Sequence, residues 1–332
     1  MAWLFLLFVY LFPEVLMADF QVGGQAVIEG VMIRSATHIS TAVRRADNSI
    51  LVKTTEHTPL SKRYKFFALP IIRGFISLFE MMWIGISSLN FSAEIAGQDI
   101  DLQEGKAPEE IKKTSSIMLA LSIVFALGMG VVFFFFLPLW VASLFGLGKD
   151  ALMFNVVAGS VRVVFFLGYV SLLTLFKDFR RIFEYHGAEH KSIWAWEMKD
   201  DLTAIAAKKY TTLHPRCGTS FILIVALFAI LIFAISDTLF QVITGQPPNL
   251  LVRFALHFSL LPIVSGGSYE LLKLSGKTRD NKLTKILIKP GLWLQLITTK
   301  EPSLDQLEVA IVAVKASLQM PQDIEVREFA DA

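Results

Sequence analysis

Two histidines four residues apart, with a glutamate between them, are the part of this sequence best suited to chemistry. His186, Glu189 and His190 stand in the run YHGAEHK. On a helix, residues i and i+4 share a face one turn apart, the separation at which two imidazoles can grip one metal ion. Glu189, three residues beyond His186, falls near that face, where it can act as a catalytic base toward a water activated by the ion. This is the H-x-x-E-H arrangement of inverted zinc-dependent hydrolases. The chain has only six histidines, so two at this spacing around a glutamate point to a divalent-metal site, with zinc the expected ion. The bland alternative is an interfacial patch bonded to backbone or lipid headgroups. Gly187 weakens the helix that the geometry requires.

Further ligands can be sought by residue type. His214 and Cys217 occur together in HPRC, and both are first-choice ligands for zinc and similar ions. His214 is the preferred third ligand; Cys217 is a fourth ligand or a buried thiol. Glu270 and Glu197 are the carboxylate candidates, and a far-downstream glutamate completes the site in H-x-x-E-H hydrolases, which favours Glu270. Glu29 lies in GGQAVIEG, which lacks both the G-x-G-x-x-G spacing and a Walker lysine and so is not a nucleotide loop. Its glycines let the backbone approach something closely, and Glu29 is an additional site carboxylate or a turn residue. Cys217 is the one cysteine, so an internal disulfide is excluded.

The elements that must position these residues are set by hydropathy. The chain has 332 residues, 54% hydrophobic and 18% charged, with a mean hydropathy of +0.56. Soluble domains carry nearer a quarter charged residues, so lipid is the expected solvent and no nucleic acid the expected partner. Apolar stretches run over 117–145, 151–176, 219–244 and 250–265. Three of them exceed the roughly 20 residues needed to cross a bilayer; the fourth is interrupted by Arg253 and His257. The short linkers GLGKD and GQPPN predict two antiparallel transmembrane hairpins. Lys and Arg number eleven over 20–116, eight over 177–218 and nine over 267–332, against one in the first outer linker and none in the second. Basic residues collect on the cytoplasmic side, so both termini and all three polar regions are predicted inside.

The expected class is therefore a mainly α membrane protein with four transmembrane helices and a small cytoplasmic β-rich N-terminal unit. The segments read as 1–19, an apolar extension; 20–65, the β-rich unit; 66–116, an amphipathic or re-entrant helix with a polar linker; 117–176 and 219–266, the two hairpins; 177–218, the loop with both motifs; and 267–332, a cytoplasmic segment with a helix capped by Ser303. The first seventeen residues lack a basic n-region and a cleavage site and contain Pro13 and Glu14, so they skim the membrane or precede a true start at Met17. Lys177, Arg180 and Arg181 anchor the inner leaflet beside Asp178. Within the spans, Arg162, Asp237, Arg253 and His257 are expensive unless paired, and an Arg162–Asp237 pair is expected.

Five stretches, GGQAVIEGVMIR, RRIFEYHGAEHKSIWAWE, LHPRCGTSF, SYELLKL and PGLWLQLITTKEPSLDQLEVAI, together resemble the bacterial YqhQ-like family (domain of unknown function 1385) over 21–317. The resemblance implies a predicted metal-dependent membrane enzyme, names no substrate, and groups His186, Glu189, His190, His214 and Cys217 while adding weight to Glu29 and Glu270. The leading expectation is a hydrolytic enzyme at the cytoplasmic interface acting on a lipid-linked or membrane-embedded substrate. The alternatives are a non-enzymatic assembly factor with a protein partner and a structural metal or none, and an oligomeric transporter.

Overall fold

The computed structural model describes residues 22–105, 116–147, 150–215, 217–277 and 282–329; the extension over 1–19 lies outside them. The N-terminal unit is a sheet of β1 (Gly23–Val27), β2 (Gly30–Arg34), β3 (His38–Arg44) and β4 (Ile50–Glu56), joined in that order as an antiparallel meander. The run QAVIEGVMI is thus a hairpin, broken by a two-residue turn in which Glu29 takes a φ of 53°. The RADNS turn expected between the last two runs is present, with Asn48 at φ 66°; asparagine tolerates that left-handed region better than most residues. Alternation along the strands gives the sheet two apolar faces. Val31, Ile33, Ala42, Ile50 and Val52 face one way, and Val27, Met32, Ile39, Val43 and Leu51 the other.

The helices follow as α1 (Ile72–Gln103), α2 (Ser116–Val131), α3 (Leu137–Leu144), α4 (Ala151–Leu173), α5 (Lys177–Glu197), α6 (Gly218–Thr244), α7 (Leu250–Ser259), α8 (Leu261–Lys277), α9 (Lys282–Thr298) and α10 (Leu304–Ser317). A π-helical turn, Val132–Phe136, joins α2 to α3. Four helical stretches are long and apolar enough to cross a membrane: Ile72–Gln103, Ala120–Leu144, Ala151–Leu173 and Ile224–Thr244. The fourth expected stretch, 250–265, falls in two helices, α7 and α8, bent by 48°.

The segment expected to be amphipathic or re-entrant is one uninterrupted helix of 32 residues, α1. Ile84 and Ile95 pack into the second sheet face. Asp99 accepts from Arg45 Nε at 2.9 Å and from the Ala46 amide at 2.8 Å. At its other end Arg73 pairs with Glu270 on α8, and a Cβ on Gly74 would meet Gly266 Cα at 3.0 Å. The helix therefore ties the sheet to the apolar bundle.

Ser303 caps α10 as expected, in a capping box with Gln306. Ten of its fourteen residues are buried, because it lies between the first sheet face and α5. It is core. The final strand β5 (Arg327–Glu328) pairs parallel to β4.

In the apolar bundle the expected Arg162–Asp237 pair is absent. Asp237, fully buried, binds Arg253 at 3.1 Å, His257 at 3.0 Å and Asn155 at 2.9 Å. Arg162 instead donates to the Phe134 carbonyl at 2.8 Å, within the π-helical turn, where the regular i→i−4 ladder is interrupted. The position of Asp237 on α6 sets this outcome: it faces Asn155, nearer the start of α4 than Arg162 is.

Candidate metal centre

The centre is built where α5, the residues before α6 and the end of α9 meet. Despite Gly187, α5 is continuous over the motif, and the His186 and His190 rings meet edge to face on one side of the helix, with centroids 4.4 Å apart. Gly187 has a positive reason to be there. A Cβ at this position would lie 2.1 Å from the Lys300 carbonyl oxygen, so only glycine lets the chain after α9 close on the helix. That approach is pinned by the Lys300 amide on the Phe183 carbonyl at 2.9 Å. Lys191, almost wholly buried, reinforces it through Glu301 at 2.6 Å and the Lys208 carbonyl at 2.9 Å.

This docking fixes the imidazole protons. His186 Nδ1 lies 2.7 Å from the Thr298 carbonyl, and His190 Nδ1 lies 2.5 Å from the Thr212 carbonyl. A carbonyl oxygen only accepts, so both Nδ1 atoms carry the hydrogen and both Nε2 atoms present lone pairs. The two Nε2 atoms and Cys217 Sγ all lie within 4.8 Å of one another, His186 Nε2 being 3.2 Å from the sulfur. His190 Nε2 is buried and has no hydrogen-bond partner. Burial and the neighbouring His186 also push the His190 pKa down, which keeps its ring neutral. Three lone-pair donors thus face a shared space, and each imidazole is oriented from behind by a carbonyl, the usual outer support of a metal-bound histidine. Tetrahedral zinc with these ligands would have edges of about 3.5 Å; His186 and Cys217 already stand near that spacing, and no pair is more than 4.8 Å apart.

Glu189 is buried beside the three and is not one of them. Its Oε2 has no hydrogen-bond partner, and the Gly24 amide of β1 lies against the carboxyl. A Cβ on Gly24 would sit 3.2 Å from Glu189 Cδ, which gives the close approach anticipated for GGQAVIEG its object. Removal from water raises the Glu189 pKa to about 8, with the Cys217 side chain adding to the rise and His186 and the Gly24 amide opposing it.

The other sequence candidates have other partners, although the His214 ring lies 5.7 Å from that of His190. His214, expected as third ligand, turns its Nε2 to Glu197 at 3.2 Å and packs its ring on Trp194. Its main chain is clamped from both sides by the Gln295 amide, at 2.7 and 2.8 Å. It therefore shapes the turn that delivers Thr212 and Cys217, and Glu197 serves His214. Glu270 is taken by the Arg73 guanidinium, with Nε at 2.7 Å. Glu29 pairs with Arg181 on α5, Nη2 at 2.5 Å, and accepts from the Tyr185 hydroxyl at 3.3 Å, so it fastens the β1–β2 turn to the helix. The Thr212 and Thr298 carbonyls escape sequence reasoning, since main-chain groups leave no residue signature, and so does Gln295, whose side chain grips a main chain 81 residues away. A glycine inside an obligatory helix was the one available hint.

Comparison with known proteins agrees with the earlier resemblance. The protein "Uncharacterized protein YqhQ" of Bacillus subtilis (strain 168) is 35% identical over 311 residues, covering 90% of this chain and 92% of that protein. No solved structure matches. A family described as "Protein of unknown function (DUF1385)" matches residues 69–320, a range that contains the whole His186–Cys217 centre, and the chain belongs to that family.

Proposed function

We propose that this chain is a multi-pass protein of the bacterial cytoplasmic membrane that holds a divalent metal, zinc, on His186, His190 and Cys217 at the inner interface. In this reading it catalyses a hydrolysis there, with Glu189 as the acid–base group. The observation that carries the proposal is the convergence of two imidazole lone pairs and a sulfur on one space, with His190 Nε2 left without any hydrogen bond. A buried acceptor without a donor is costly unless something fills the role. Zinc held there supplies Lewis acidity toward a substrate oxygen. Glu189, outside the ligand set with one free carboxylate oxygen, takes the proton of an attacking water and passes it to the leaving group. Cys217 immediately precedes α6, one of the apolar helices, and exposed Leu175, Phe176 and Trp293 lie along the neighbouring helix ends. That setting favours a lipid-linked or membrane-embedded substrate.

The burial of His190 and Cys217 (1% and 7% exposed) favours a second reading, a closed structural metal in a non-enzymatic assembly factor. Structural zinc sites are closed, and catalytic ones keep an open position. Metal analysis of the detergent-purified protein by mass spectrometry decides the common premise. About one zinc per chain is expected, lost in the His186→Ala/His190→Ala variant while the protein stays folded. X-ray absorption then separates the two readings: a fourth, exchangeable oxygen ligand supports the enzyme, and a fourth protein ligand the structural role. Glu189→Gln, with metal retained and turnover lost, completes the case for the enzyme.

A further inference from the structure

The bundle of α2, α3, α4, α6 and α7 contains two arginines and a single carboxylate, Asp237, among its described residues. Asp237 is fully engaged by Asn155, Arg253 and His257. Arg162 is left over. Its Nε donates to the Phe134 carbonyl, and its guanidinium lies over the rings of Phe135 and Phe233, at 5.4 and 5.9 Å. Its Nη2 is buried with no hydrogen-bond partner, and the side chain makes no ion pair among the described residues. An arginine stays charged at every physiological pH. An uncompensated guanidinium in an apolar bundle marks a missing anion.

Depth and charge together narrow what that anion is. Arg162 is the twelfth of the 23 residues of α4, so each end of the helix is roughly 17 Å away at 1.5 Å per residue. Lipid phosphates of either leaflet are beyond the reach of an arginine side chain. Among its described residues the same bundle in a second copy offers only Asp237, which is buried and already has three donors. The surface around Arg162 is apolar, with Val131, Val132, Phe133, Val164 and Tyr169 exposed, as suits contact with another helix. The unpartnered Nη2 leaves the guanidinium a donor for a carboxylate oxygen, in a charge-assisted hydrogen bond. We propose that Arg162 is the docking point for a membrane-spanning helix of a different protein, one that carries an aspartate or glutamate near its middle. This rests on α4 crossing the membrane and is independent of the metal centre.

The test reconstitutes the full chain in phosphatidylcholine bilayers with a fluorescent leucine–alanine helix of roughly 23 residues bearing one central glutamate. The same helix with glutamine is the control, and energy transfer reports association. The glutamate helix is expected to bind at least about tenfold more tightly than the glutamine helix, with Arg162→Gln erasing the difference and Arg162→Lys, a point charge without the planar guanidinium, retaining part of it. Equal binding of both helices, or a preference that survives Arg162→Gln, overturns the proposal. A stability measurement guards against a purely structural role: without any peptide, Arg162→Met should leave the unfolding midpoint unchanged or higher, and a large drop overturns the proposal. Stabilisation by dissolved chloride or phosphate that needs Arg162, without a helix preference, also overturns it and assigns the charge to a small anion. Failure of the chain to enter bilayers at all removes the span reading, and this inference with it, while leaving the metal centre untouched.

Discussion

Replacing Gly187 with alanine sets two opposite effects against each other. Alanine is the better helix former by about 1 kcal/mol, and α5 is continuous at this position, so local propensity alone forecasts a more stable protein. The added Cβ would, however, stand 2.1 Å from the Lys300 carbonyl oxygen and 3.2 Å from Thr212 Cγ2. Normal carbon–oxygen contact requires the chain after α9 to retreat by about 1 Å, an overpacking cost of roughly 1–3 kcal/mol. The retreat also breaks the Lys300–Phe183 main-chain bond and lengthens the 2.7 Å bond from His186 to Thr298, at roughly 0.5–1.5 kcal/mol each. The packing penalty wins, and the variant is expected to be less stable by about 1–3 kcal/mol. Because the Thr298 carbonyl orients His186, zinc affinity should fall about 10- to 100-fold. The assay is zinc competition against a chromophoric chelator, paired with thermal unfolding in detergent. Gly97→Ala is the control: it is also helical, but its Cβ would meet nothing within 4 Å, so it should be neutral or stabilising with zinc affinity unchanged. A Gly187→Ala protein with raised stability and unaltered affinity would refute the reasoning.

Three further outcomes follow from the same geometry. His214→Ala should keep the full metal stoichiometry, measured by mass spectrometry, and weaken affinity only through the turn that carries Thr212 and Cys217; complete loss of metal would restore His214 as a ligand. Asp237→Ala leaves Arg253 and His257 buried without their carboxylate, and should cost about 3–5 kcal/mol, read as a lowered unfolding midpoint. Glu189 has its folded pKa raised to about 8 from 4.5, so folding takes up its proton and stability is present at low pH and lost as pH rises toward 8. His190, with its pKa lowered from 6.5, acts with the opposite sign and only below that value. Between pH 6.5 and 8 the chelator-treated protein should therefore lose on the order of 1 kcal/mol per pH unit, and Glu189→Gln should flatten that slope; an unchanged slope would rule Glu189 out as its source.

The elements were legible where periodicity or hydropathy is strong. The meander, the turn at Asn48, the Ser303 cap and three apolar helices all follow from local pattern. Long-range partner choice was not legible, because it depends on the register between helices. Asp237 selects Arg253 and His257 over Arg162 through its position on α6, and Arg73 captures Glu270 through the packing of α1 on α8. In the centre, the residues named from H-x-x-E-H and HPRC do gather in one region, yet Cys217 rather than His214 faces the two imidazoles. The sequence separates these two by only three positions, and the choice between them is made by Gln295, 81 residues further on, gripping the His214 main chain. The apolar composition of α1 invited two interpretations, and its contact with the sheet, visible only in three dimensions, accounts for one of its faces.

The closure of the N-terminal β-unit by α10 and β5 has a consequence for biogenesis. The sheet emerges from the ribosome first, but the helix that seals its first face lies near the end of the chain, and the carbonyl that orients His186 comes from Thr298. Main-chain pairing such as Leu51 with Arg327 spans most of the polypeptide, and contacts of such sequence separation form late. During synthesis the apolar helices can therefore be in place while the β-unit still exposes an unsealed face. On the proposed metal-binding reading, a chain truncated before residue 298 lacks the carbonyl that orients His186 and should bind metal weakly or not at all.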